Sequence, residues 1–549
     1  MAMIMAWIGV KRLIERQMSK KKRTPLEYAV LATLGFLAAA TLKYPNRAFL
    51  TSARKRVGYE LPGFALVGSL PHIVVYRDDP LPIIQSFFEE HGDVLSFTLP
   101  VYGRAILINN PEHMEHIFKT NFENYVKGNV FRWQLKDILG RGIFVADGEE
   151  WRFHRKTASN IFTTKLYRSL VQNAFKSSAH DFCQHVQTFV TAQKPVDLQA
   201  KFHLLTMDAF GKLTFGIEFK ALTQEGSNEF GDAFDFLTSA ADARISNPIW
   251  FITDRLIPGR RKKHLHCIHT LDCYAAAAVA KRRAETEEVK ASRQRDLLDH
   301  FISYRKDDGS LLDERELRDV FVNFMVAGRD TTAQALTWQF YSLMANPRVM
   351  KNLVQEIDSV LQGTEENISY ETLMNSMPYA KAVLHETLRL NPPVPKNVRQ
   401  ALDNDTLPDG TQVNKGDFIG YSNWCMGRNK SVWGQDADLF VPERWLVPDP
   451  TADPTSSAAR FGKFRAESQF KFISFNAGPR LCLGQTFAIL EAMVTTCILL
   501  QRYEFKLVPR HPTPRMKGSV TLPMKDPLMT IVSERPRSSR LPHVFEHEP

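Results

Sequence analysis

The sequence predicts a mainly α-helical protein with small β-sheets, preceded by one N-terminal hydrophobic helix. Three observations lead there. Apolar residues recur at helical spacing over 149–162, 314–344, 347–361, 379–390 and 485–501. Two short stretches, 94–98 and 104–108, read as strands, and Pro100 and Gly103 between them signal a hairpin. One long apolar run, 26–42, stands near the amino end.

The 549 residues are 44% hydrophobic, which supplies enough apolar surface to exclude a disordered chain. Six scattered cysteines without a CxxC pair exclude a disulfide framework and a thiolate zinc site. The net charge of +10 raises the question of a nucleic-acid or membrane partner, and its placement answers it. Residues 1–58 hold 12 Lys+Arg and 2 Asp+Glu, while the remainder holds 58 of each. The basicity belongs to the amino end, so it reads as attraction to anionic lipid, with no nucleic-acid partner.

In chain order, residues 1–25 form a basic segment with seven cations between 11 and 23. The apolar run 26–42 is read as an uncleaved membrane anchor. As a helix it measures about 25 Å, slightly short of a ~30 Å hydrocarbon core. Flanking cations Lys43, Arg47, Arg54, Lys55 and Arg56 can cover the shortfall by snorkelling. A cleaved signal peptide ending near Ala38–Ala40 and a mitochondrial presequence are the alternatives. Residues 43–71 read as a basic, Pro/Gly-marked linker, and 72–549 as one catalytic domain without internal repeats.

The chemistry centres on residues 475–484, Phe-Asn-Ala-Gly-Pro-Arg-Leu-Cys-Leu-Gly. Cys482 precedes a helical run, and a thiolate there is favoured by the helix amino terminus and by Arg480. Gly478 and Gly484 permit a sharp turn and a close approach to a flat cofactor. Phe475 is placed to pack against the sulfur.

These residues match at every fixed position the FxxGxRxCxG loop of the cytochrome P-450 family, which the chain resembles from about 60 to 535. Four further motifs resemble the family's in its order: Trp151 to Arg155, Ala327 to Thr332, Glu386 to Arg389 and Phe440 to Trp445. The resemblance implies the cytochrome P-450 fold, with haem b held between an oxygen-binding helix and the cysteine loop. It implies Cys482 as the axial iron ligand. Trp151, Arg155, Arg399 and Arg480 are implied as propionate partners, with Phe475 and Gly478 lining the cofactor. Glu386, Arg389 and Arg444 are implied as a brace behind the loop. Thr331 and Asp330 map to the family's oxygen-side alcohol and proton-relaying acid, the pair that marks a monooxygenase. Ala327 replaces a glutamate that binds haem covalently in some relatives, so the haem is expected to be non-covalent.

Residues 122–128, 137–148, 327–333 and 469–472 resemble the fatty-acid omega-hydroxylases of plants and fungi. An apolar channel is implied, with Phe131, Trp133, Ile143, Phe144 and Ala327 as candidates and Lys127, Arg132 or Lys136 as a carboxylate anchor. The chain has no flavin domain, so O2 chemistry implies electrons from NADPH–cytochrome P-450 reductase, with Lys156, Arg465 and Lys471 as a docking patch. The expected location is the endoplasmic reticulum membrane, single-pass with a cytosolic catalytic domain, or alternatively the mitochondrion. A sterol or terpenoid hydroxylase is the other reading within the enzyme class. A non-catalytic haem-binding protein is the reading outside it.

Overall fold

Helices form where the periodicity predicts them, and local side chains fix their ends. The computed structural model describes residues 25–51, 58–76, 79–100, 102–223, 228–247, 250–293, 295–306 and 308–536. The basic segment 1–24 and the cations Arg54, Lys55 and Arg56 lie outside the described residues.

The amino-terminal apolar run folds as helix α1 (Pro25–Lys43). Among the described residues, however, no helix is long and apolar enough to cross a membrane. Nineteen residues of helix measure about 28 Å. Glu27 interrupts the run, and Thr33 and Thr41 turn their hydroxyls back onto Ala29 and Leu37 carbonyls. The spanning helix expected there is therefore not found. Tyr28, Val30, Leu34, Phe36, Leu37 and Leu42 are exposed, and only the carboxyl end packs, through Ala40 and Tyr44.

The segment after α1 docks on the body. Strand β1 (Tyr59–Glu60) pairs in parallel with β2 (Val94–Leu99), and Leu61 N–H donates to the Ser96 carbonyl at 2.8 Å. β2 and β3 (Gly103–Ile108) form the expected hairpin in antiparallel register, Val94 opposite Ile108. β4 (Tyr125–Val126) then leads into helices α2 (Gly128–Leu139), α3 (Gly148–Ser159) and α4 (Lys176–Thr191). β5 (Val196–Asp197) precedes α5 (Leu198–Phe215), whose first turn is capped by the Asp197 carboxylate. α6 (Glu229–Ser246), α7 (Trp250–Leu256) and α8 (Arg260–Arg283) follow.

The stretch 314–344 reads in sequence as one helix, but the structure divides it. α9 (Glu314–Met325) starts on an Asp313–Glu316 capping box. A π-helical turn, Val326–Asp330, separates it from α10 (Thr331–Ala345). α11 (Pro347–Leu361) and α12 (Pro378–Leu390) pack beside α10. β6 (Lys396–Ala401) and β7 (Phe418–Ser422) complete a six-stranded sheet of order β1-β2-β3-β7-β6-β4. α13 (Gln485–Arg502) runs through the core against α4, α10, α11 and α12. β8 (Tyr503–Leu507) and β9 (Met529–Glu534) close a second sheet of order β8-β9-β5.

Glu386 joins α12 to the segment before the cysteine loop. Its carboxylate accepts from Arg389 Nε and Nη2 at 2.7 and 2.8 Å, and from Arg444 Nε at 3.0 Å. It also accepts from Trp445 Nε1 at 3.0 Å and Val441 N–H at 2.8 Å. Arg389 donates its remaining bonds to the carbonyls of Gly427, Ala437 and Leu439. Glu386 and Arg389 have no exposed side-chain surface, so removing either charge strands the other. Glu386→Gln is expected to destabilise the protein by about 3–5 kcal/mol. Denaturant unfolding reads this directly, and a loss under ~0.5 kcal/mol, typical of surface sites, contradicts it.

Candidate active site

The cysteine loop is a turn shaped by its glycine. Gly478 has φ 57°, and a Cβ there would meet the Phe118 carbonyl oxygen at 2.1 Å. Cys482 N–H donates to the Phe475 carbonyl at 2.8 Å, and Arg155 Nη1 donates to the Leu481 carbonyl at 2.7 Å. Behind the loop, Phe475 meets Phe472 edge-on at 6.2 Å, and Phe472 meets Trp445 at 4.9 Å. Ser474 Oγ donates to the Leu388 carbonyl of α12 at 2.7 Å. The brace on Glu386 is thus linked to the cysteine by ring packing and one hydrogen bond.

Cys482 keeps accessible surface although it lies deep among protein atoms. Burial pushes its thiol pKa up, while the Gly484 N–H and Arg155 act in the opposite direction. The cation acting on the sulfur is therefore Arg155. Arg480, assigned that task from sequence, turns away: its Nη2 donates to Asp147 at 3.0 Å and to the Ala146 carbonyl at 2.9 Å. Its guanidinium stacks on Trp151 at 4.2 Å. Arg155 also reaches over the Trp151 ring, at 5.9 Å. A metal ion bound by Cys482 would favour the thiolate, since burial alone raises the thiol.

Beside the loop, Lys127, Arg399 and Arg480 form a buried cationic cluster. Arg399, on β6, is 2% exposed and Lys127 is 8% exposed. Burial lowers the Lys127 pKa well below its usual value, and Arg399 and Arg480 lower it further. Arg480 is pushed down to about 9 by burial and by Arg399. Asp147 is the carboxylate acting on both Lys127 and Arg480. Arg399 Nη1 and Arg480 Nε have no hydrogen-bond partner among the described residues. Orphaned donors in a self-repelling dry cluster fit the carboxylates of haem. Lys127, offered from sequence as a substrate anchor, belongs to this cluster.

On the oxygen-side helix, the π-helical turn is held by side chains. A Cβ on Gly328 would meet the Phe210 ring at 2.0 Å. Thr331 Oγ1 donates to the Ala327 carbonyl at 2.5 Å, and Thr206 Oγ1 donates to the Arg329 carbonyl at 2.8 Å. Asp330 is 3% exposed and accepts from Arg329 Nη1 at 2.8 Å. Burial raises its pKa to about 6, with Arg329 opposing. Asp330 and Thr331 are thus adjacent but turned to different partners.

The channel candidates separate. Phe131 and Trp133 lie on α2, and Ile143 and Phe144 in the turn that follows. Phe144 N–H donates to Asn323 Oδ1 at 3.4 Å, one helical turn before Ala327, so the backbone of this turn reaches the oxygen-side helix, while the Phe144 ring itself is 38% exposed. Trp133 instead packs on Trp250 of α7 at 4.4 Å and is 36% exposed. Arg132 is paired to Glu150 at 3.1 Å, and Lys136 is exposed.

Sequence reading passed over Glu491 on α13. It is 2% exposed, burial pushes its pKa up to about 8 with Thr332 opposing, and neither carboxyl oxygen has a hydrogen-bond partner among the described residues. Its place among Phe487, Ala488 and Val494 on one face of α13 was the signal.

A family model described as Cytochrome P450 matches residues 60–531. Cytochrome P450 monooxygenase cyp1 of Mycosarcoma maydis is 35% identical, over 85% of this chain and 74% of its own length. Cytochrome P450 86B1 of Arabidopsis thaliana is 35% identical, over 86% of both chains. Cytochrome P450 94A1 of Vicia sativa is 33% identical, over 74% of this chain and 76% of its own. Among solved structures, the cytochrome P450 CYP102L1 superposes with a TM-score of 0.69 at 21% identity, over 84% of this chain and 95% of that one.

The raised pKa of Glu491 makes a signed prediction. An acid that is more basic when folded stabilises the fold below its unfolded pKa, and that contribution is lost as pH rises toward about 8. Glu491→Gln is expected to flatten the fall in stability between about pH 4.5 and 8. Unfolding midpoints measured across that range test this, and an unchanged slope contradicts it.

Proposed function

The chain belongs to the cytochrome P450 family, and on that premise we propose that it hydroxylates long-chain fatty acids at or near the terminal carbon. Haem iron with a cysteine thiolate, O2 and electrons from NADPH through a reductase supplies the monooxygenase chemistry of this family. Within that frame Cys482 is the ligand, and Lys127, Arg399 and Arg480 hold the propionates. Ala327 carries no carboxylate that could bond the macrocycle, which supports non-covalent haem.

One observation supports the acyl substrate most. The segment 137–148, which with 122–128 resembles omega-hydroxylases, brings its backbone at Phe144 to Asn323, one helical turn before Ala327 on the oxygen-side helix. Of the three cationic candidates there, Lys127 is engaged in the haem cluster, Arg132 with Glu150, and Lys136 is exposed. An apolar chain end enters such a site without stranding a polar group. Burial lifts the Asp330 pKa to about 6, within reach of reversible protonation near neutral pH, and Thr331, next to it, carries the hydroxyl assigned to pass the proton on.

In the same reading the enzyme is held at a membrane by α1. The helix exposes apolar side chains around nearly its whole circumference, which water does not favour. We assign the reductase to the face near Lys156. Arg465 and Lys471 contribute less than their sequence positions suggest, because both pair with Glu467, at 3.1 and 3.2 Å.

A fatty-acid panel with reductase and NADPH, analysed by mass spectrometry, is expected to give terminal or near-terminal hydroxylation. Turnover of sterols or terpenoids with none of fatty acids refutes the acyl reading. Cys482→Ala is expected to abolish the thiolate–carbon monoxide absorption band, and its survival refutes the ligand assignment. Thr331→Ala is expected to consume NADPH with about 10²-fold less product, in the range of a lost acid–base group. Full coupling contradicts that role.

A further inference from the structure

A cavity of about 240 Å³ lies beside Asp330, lined also by His203, Gln334, Asp235, Lys517 and Thr521. Neither His203, on α5, nor Gln334, on α10, has a task in the reading above. Gln334 is fully buried, and its Nε2 lies 3.0 Å from His203 Nε2. An amide nitrogen only donates, so His203 Nε2 accepts and the neutral ring carries its proton on Nδ1. Nδ1 lies 3.7 Å from Asp330 Oδ1, beyond a hydrogen bond but within one side-chain rotation of it. The same Oδ1 accepts from Arg329 Nη1 at 2.8 Å, and that nitrogen also binds Asp235 at 2.6 Å.

The charges around the ring keep it neutral. Burial pushes the His203 pKa down to about 3, Arg329 and Lys517 push the same way, and Asp235 opposes them. A neutral donor can hold a carboxyl in place without favouring its ionised form as strongly as a guanidinium does. That distinction matters for an acid that must be protonated again in every cycle. Arg329 favours the charged carboxylate, against the burial that raises the Asp330 pKa.

We propose that His203 is the positioning residue of Asp330. A hydrogen bond from Nδ1–H holds the carboxyl on the cavity side, where it takes its next proton from cavity water, and Gln334 sets the tautomer that makes this donor. His203 keeps its own proton throughout. The proton gained by Asp330 comes from water, and the hydroxide left behind is neutralised by solvent. The proposal rests on Asp330 being the proton-carrying acid.

The test uses the holoenzyme with ¹⁵N-labelled histidine. NMR between pH 6 and 8 is expected to show His203 as the neutral Nδ1–H tautomer, and Gln334→Glu is expected to reverse it to Nε2–H. A predominant Nε2–H tautomer or a charged ring in the unsubstituted protein overturns the proposal without any activity measurement. His203→Leu is expected to lower product formed per NADPH by about two- to tenfold, the worth of one hydrogen bond. His203→Asn, which keeps a donor near Nδ1, is expected to restore it. Full coupling in His203→Leu overturns the positioning role. Full coupling in Asp330→Asn instead overturns the assignment of the acid itself.

Discussion

Glu386 is the interaction on which the cysteine side depends. A carboxylate buried without solvent is tolerable only when its lone pairs are filled by well-placed donors. Here five donors from Arg389, Arg444, Trp445 and Val441 converge on it. The donors come from α12 itself and from the segment 441–445, so the charge can be satisfied only when the two are assembled. Trp445 then sets Phe472, Phe472 sets Phe475, and the Phe475 carbonyl receives the Cys482 N–H. A reacting centre carried on a loop becomes as well defined as the core behind it.

The opposite wall relies on a different device. A regular helix would leave no room between α9 and α10, and the π-helical turn makes that room by releasing backbone carbonyls. Thr331 and Thr206 take up the carbonyls of Ala327 and Arg329, so the distortion leaves those groups satisfied. The arrangement also explains why Asp330 can be an acid of raised pKa beside an arginine. Burial outweighs a single guanidinium that is shared with Asp235.

Periodicity made the helices legible, because 347–361 and 485–501 match α11 and α13 almost to the residue. The hairpin was legible from Pro100 and Gly103. What escaped were features set by distant packing. Gly328 marked the weak point of the oxygen-side helix in sequence, but the packing of Phe210, more than a hundred residues away, against it was not legible there. Arg480 was read by its nearness in sequence to Cys482, yet Asp147 and Trp151 draw it aside and Arg155 takes its place. Lys127 looked like a surface cation because nothing local marks its burial against Arg399. The apolar run of α1 was correctly placed as a helix, but length alone does not make a span.

The cluster of Lys127, Arg399 and Arg480 has a consequence beyond catalysis. Three like charges held in a dry place work against the fold until an anion offsets them. A ligand that binds only the native state shifts the folding balance by mass action. Newly made chains therefore compete between capturing haem and being cleared by cellular proteolysis. Were haem that anion, the level of this protein would fall in a cell short of haem, and abundance would be metered by porphyrin availability as well as by synthesis.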